Sequence, residues 1–99
     1  MFSKSEILNF LRENKSFFKT KFEVIRIGIF GSYARDEQTE KSDIDIIVEF
    51  EENAQNLYDK KFELREYLIS HLKIKIDLCR EGAIKPIFKQ IILKDAIYV

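Results

Sequence analysis

Hydrophobic and polar residues alternate along this chain in two distinct rhythms, and the switches between them mark out its elements. Ser3 followed by Glu6 has the form of a capping box that opens a helix. Ile7, Leu8, Leu11, Asn14, Phe17 and Phe18 then recur at helical spacing, which predicts a helix over roughly residues 4–20 with one apolar face. Period two follows. Ile25, Ile27 and Ile29 alternate with Val24, Arg26, Gly28 and Phe30. Ile44, Ile46, Val48 and Phe50 alternate with Asp43, Asp45, Ile47 and Glu49. Ile74, Ile76 and Leu78 alternate with Lys73, Lys75, Asp77 and Cys79. Each run predicts a strand with one purely apolar and one mixed face, so the sheet is covered by helices on one side and more open on the other.

Helical spacing returns over 54–71 with Leu57, Tyr58, Phe62, Leu64, Leu68 and Ile69, and again after Gly82 with Ile84, Ile87, Phe88, Ile91 and Ile92. Pro86 falls in the first turn of that last helix, where a missing N–H costs little. The tail AIYV predicts a short edge strand. The order is an α+β sandwich, with a small mixed or antiparallel sheet and helices packed on one face. The 99 residues are expected to form a single domain.

Composition narrows the function. Lys plus Arg equal Asp plus Glu at 17 each, so no broad basic field points to direct nucleic-acid or acidic-membrane binding. The lone Cys79 excludes an internal disulfide and fits a reducing compartment, and no stretch approaches a membrane span. A cytoplasmic protein is expected. Cys79 and Tyr67, like Tyr58, read as packing residues, and His71 as a surface residue at a helix end.

The candidate chemistry lies where the first strand runs into Gly31-Ser32, ten residues before Asp43-Ile44-Asp45. Glycine lets the backbone turn tightly beside a phosphate, and the amides that follow form an anion-binding end. Ser32 adds a hydroxyl donor without bulk. Asp43 and Asp45, at i and i+2, share the mixed face of the second strand, where a divalent cation resolves their repulsion. Asp77 has matching parity on the third strand. Placed near that strand's end, it converges with Asp43 and Asp45 only if the second and third strands run antiparallel. A phosphate-binding turn and three carboxylates at one edge suit a two-metal phosphoryl or nucleotidyl transfer.

The run GSYARDEQTEKSDIDIIVEF resembles the Gly-Ser, spacer, Asp-x-Asp signature of the DNA polymerase beta nucleotidyltransferase superfamily, and the IDL run around Asp77 is similar to its minimal nucleotidyltransferase branch. The resemblance implies that Gly31, Ser32 and Arg35 hold the triphosphate of ATP. Asp43 and Asp45 would bind two Mg²⁺ ions, and Asp77 would bind the catalytic one. Larger relatives carry an added domain for the acceptor, so a partner or a homodimer is expected to complete the site here. The branch is commonly paired with HEPN-domain RNases, as the antitoxin of a type VII toxin–antitoxin system that transfers AMP to a toxin tyrosine. Two alternatives stay open: a nucleotide-binding antitoxin that acts by contact alone, and transfer to an aminoglycoside or a nucleic-acid 3′ end. The chain departs from the common motif at Tyr33, where many relatives have Arg, and at Asp36, where many have Gly.

Overall fold

A computed structural model describes residues 2–99. The capping box forms as expected: Ser3 Oγ accepts from Glu6 N at 3.1 Å and Glu6 Oε1 accepts from Ser3 N at 2.9 Å. It opens α1 (Lys4–Glu13). The expected single helix is two, because Asn14 ends α1 and precedes α2 (Lys15–Phe22). The Asn14 side chain donates to Phe10 O at 2.9 Å and accepts from the Tyr67 hydroxyl at 3.0 Å. An Asn that competes for helical carbonyls breaks a helix its neighbours would continue.

Next come β1 (Val24–Phe30), the four-residue α3 (Gly31–Ala34), β2 (Ile44–Phe50), α4 (Leu57–Leu72), β3 (Ile76–Arg80), a 3₁₀ turn (Glu81–Ala83), α5 (Pro86–Asp95) and β4 (Ile97–Tyr98). The sheet order is β3-β2-β1-β4. β1 pairs antiparallel with both β2 and β4, and β2 pairs parallel with β3. The sheet is mixed, and the antiparallel pairing expected for the second and third strands is wrong. The reason is physical: α4 is a crossover that carries the chain from the end of β2 back to the edge where β2 began, so the strands it joins run parallel. Lys73 is the left-handed cap of α4 (φ 57°), so the strand begins at Ile76 rather than Lys73. Asp77 therefore lies at the start of its strand, and the convergence survives by a different route.

The core sits between the apolar face of the sheet and α1, α2 and α4. Ile7 and Leu11, Phe18 and Phe22, and Leu64, Leu68 and Leu72 pack against Ile27, Ile29, Ile44, Ile46, Val48 and Leu78. In β1 a register shift between Val24 and Arg26 turns Ile25 outward, 44% exposed, so it leaves the apolar face assigned to it by parity. Tyr58, expected to pack, is 84% exposed. Tyr67 does pack, its ring 5.0 Å from Phe17 and 4.0 Å from the surface residue His71. Starting from the β3 edge, α5 brings the chain to the β4 edge, and Pro86 occupies its first turn. No helix among the described residues is long and apolar enough to cross a membrane.

Candidate active site

Sheet direction alone brings the site together. β1 ends where β2 begins because the two are antiparallel, and β3 begins there too because it is parallel to β2. Phe30 is in register with Asp45, and Asp45 with Asp77. Neighbouring strands lie about 4.8 Å apart, so these two carboxylates leave the same face side by side. Asp43 stands two residues earlier on that face, with an oxygen 3.7 Å from Lys75 Nζ.

Gly31 begins α3 in the left-handed region at φ 72°, which glycine adopts without penalty. A Cβ at this position would lie 2.1 Å from Asp45 Oδ2. The turn backbone and the carboxylate are therefore in direct contact, and only glycine leaves room for both. The turn is anchored from below by Tyr33, fully buried in the core, and by Ala34. This explains the departure from Arg at Tyr33: the side chain points into the apolar core, where a guanidinium would be stranded without a partner. The Tyr33 hydroxyl is itself buried without a hydrogen-bond partner, and burial pushes its pKa up. After α3 the chain folds back, with Glu37 N donating to Ser32 O at 2.9 Å. Asp36 takes the left-handed conformation (φ 58°), and its carboxylate pairs with Lys4 at 2.9 Å.

Arg35 is held by Glu37 at 2.6 Å and by Asp95 of α5 at 3.2 Å. It still acts on the acidic cluster, lowering the Asp45 pKa. The stronger influences run the other way. Burial first, then the charges of Asp77 and Asp43 and hydrogen bonding with Asp77, push Asp45 up to about 6. Arg35 and the Lys75 beside Asp43 offset this crowding only in part.

The donor set fits magnesium, a hard ion that takes oxygen ligands and prefers one or two carboxylates plus substrate phosphates to an all-protein cage. Among the described residues, no three His, Cys, Asp or Glu side chains are already gathered into such a cage. Asp45 Oδ2 lies against the Gly31 turn, so at least one carboxylate oxygen sits beside its backbone.

Comparison with known proteins agrees with this geometry. The sequence pattern of the nucleotidyltransferase domain matches residues 11–99. The chain belongs to the nucleotidyltransferase domain family. It is 56% identical over 96 residues to a Methanocaldococcus jannaschii protein named "Putative protein adenylyltransferase", with 96% of each chain covered. It is 38% identical over 99 residues to the protein adenylyltransferase MntA of Thermococcus cleftensis, covering 100% of this chain and 98% of that one. Among solved structures, a minimal nucleotidyltransferase superposes with a TM-score of 0.78 at 28% identity, over 97% of this chain and 95% of that one. A toxin–antitoxin crystal structure with AMP-PNP superposes with a TM-score of 0.68 at 26% identity, over 98% of this chain and 72% of the other.

Sequence reasoning expected Gly31, Asp43, Asp45 and Asp77 at one edge, and the structure brings Gly31, Asp45 and Asp77 together there. The sequence did not reveal two supports. Lys75 stands beside Asp43, and Asp95 holds Arg35 from the far end of the chain. Only tertiary structure joins residues 35 and 95, so no local signal marks that pair.

Proposed function

We propose that this domain transfers AMP from ATP to a tyrosine of a HEPN-domain toxin, with Mg²⁺, and so acts as an antitoxin. The observation that carries the reading is the contact between the Gly31 turn and Asp45, with Asp45 itself in register with Asp77. One edge of the sheet thus carries the Gly31 turn and paired carboxylates together. The relatives named for protein adenylyl transfer, and the superposed toxin–antitoxin structure with AMP-PNP, support the same assignment.

Gly31 and Ser32 receive the β- and γ-phosphates through backbone amides and the Ser32 hydroxyl, while the missing side chain at Gly31 leaves room for the Asp45 carboxylate. Arg35 adds a positive charge beside them. Asp43, Asp45 and Asp77 would hold Mg²⁺, which neutralises the triphosphate and lowers the pKa of the acceptor hydroxyl. The acceptor phenolic oxygen attacks the α-phosphorus and its proton leaves. The bond to the β-phosphate oxygen breaks, and pyrophosphate departs. A tyrosine hydroxyl, with pKa about 10, loses its proton more readily than serine. The adenylyl group then places a bulky anion on the toxin.

Intact-mass spectrometry tests this. With ATP, Mg²⁺ and a HEPN-domain partner, the partner gains one or more adenylyl units. The Asp77→Asn variant still binds ATP and leaves the partner unmodified. A fully inhibited but unmodified partner would instead identify an antitoxin that works by contact.

A further inference from the structure

Two helices turn apolar stripes to solvent that the core does not use. On α4, Tyr58 is 84% and Phe62 48% exposed, one turn apart. On α5, Ile87 is 76%, Phe88 52% and Ile91 67% exposed, and the helix has no buried residue at all. A ten-residue helix with this much exposed aliphatic surface lacks the cover that usually stabilises an amphipathic element.

The α4 stripe meets α5 at Phe88. Lys61 lines a cleft with Tyr58, Phe62 and Arg65, and it also lines a second cleft with Cys79 and Phe88. Cys79 follows Asp77 by two residues on the same face of β3, so the surface begins about 7 Å along the strand from the candidate acceptor-side carboxylate.

Charge selects the occupant. The α4 cleft residues 58, 61, 62 and 65 include Lys61 and Arg65 and no carboxylate; Asp59 and Glu66 neighbour Phe62 at i−3 and i+4, on the side away from Lys61. On α5, Lys85 and Lys89 flank the apolar residues, and the only acid, Asp95, is paired with Arg35. The chain as a whole is neutral, so this excess is local. A second copy docked by a two-fold axis would set these cations against their own kind. An acidic protein surface with apolar residues at its centre complements them.

We infer that the α4–α5 surface, with Phe62 and Phe88 as its apolar anchors and Lys61 and Lys85 on its rim, docks the acceptor protein and delivers its hydroxyl to the Asp77 side of the site. This rests on the proposed transfer to a protein acceptor, and it adds where that acceptor binds.

Calorimetric titration of the HEPN-domain partner into the full chain, without ATP, tests it. Phe88→Asp and Phe62→Asp are expected to weaken binding about 10- to 100-fold, as loss of a central anchor does. The double variant Lys61→Glu, Lys85→Glu should weaken binding and flatten its salt dependence. All of these residues lie at least partly in solvent, so the variants should melt with the wild type and bind Mg²⁺-ATP equally well. Unchanged partner affinity in the variants, or no binding by the wild type, overturns the inference. So does a wild-type homodimer that Phe88→Asp dissolves, or binding of phosphatidylserine vesicles or single-stranded RNA that Phe88→Asp abolishes while partner binding persists. A complex that forms through this face without gaining AMP removes the proposed activity and leaves the docking surface standing. Transfer by Phe88→Asp at an unchanged KM for the partner does the reverse.

Discussion

Asp45 and Ile46 are adjacent in the chain and lie in opposite worlds. Ile46 points into the core and is completely buried, one of a row with Ile44, Val48 and Phe50. Asp45 points to the open face, against the Gly31 turn and beside Asp77. One side of β2 builds stability, and the other spends some of it by gathering like charges. The strand shows how a small domain divides structure from chemistry by side-chain parity alone. Mutations should therefore separate cleanly by face.

The largest separation is expected in the transfer reaction. Asp45→Asn and Asp77→Asn should each lower adenylyl transfer at least about 100-fold while the protein stays folded, as loss of an oriented electrostatic group does. Circular dichroism with a transfer assay checks both halves, and unfolding of either variant would erase the distinction between the faces. Ile46→Ala should do the opposite. It opens a core cavity and costs about 2–5 kcal/mol, read by chemical denaturation, without altering the site's ligands. Replacing Asp43, Asp45 and Asp77 together by Asn should leave the metal-free melting temperature unchanged or slightly raised.

A smaller effect follows from protonation. Asp45 is raised from 3.8 to about 6 in the fold, so the folded state prefers its protonated form. Its contribution to metal-free stability is complete below pH 3.8 and is lost as the pH rises through about 6. For a half-exposed carboxylate the swing is on the order of 1 kcal/mol after solvent screening. Asp45→Asn should flatten the stability curve over that window relative to the wild type; parallel curves would contradict the charge crowding. The smallest effect belongs to Tyr33, whose buried hydroxyl has no partner. Tyr33→Phe removes an uncompensated polar group and should be neutral or stabilising by up to about 1 kcal/mol. A loss of stability would mean that the hydroxyl is satisfied after all.

Parity made much of this visible in the sequence. The alternation over 43–50 separated Asp43 and Asp45 from Ile44 and Ile46, and the structure keeps that division. What escaped depended on longer-range geometry. The direction of β3 followed from the length of α4, since a helical crossover dictates a parallel return, whereas Lys73–Lys75 imitated a strand start by alternating charge with Ile74. Ile25 has the right parity but sits at a register shift that only pairing with β2 creates. Tyr58 and Phe62 recur at helical spacing, and periodicity does not say whether a helix has one covered face or two. At the site, glycine at 31 was legible as a turn, but its contact with Asp45 was not, because fourteen intervening positions return only through the pairing of Phe30 with Asp45.

We propose that the open face of this sheet edge binds a triphosphate through a metal its carboxylates hold. Calorimetry of ATP binding, with Mg²⁺ and then with EDTA, measures it most directly. Wild-type affinity should collapse when EDTA replaces Mg²⁺, and Asp43→Ala should collapse it equally with Mg²⁺ present. Equal affinity for ATP in all of these conditions would contradict the account.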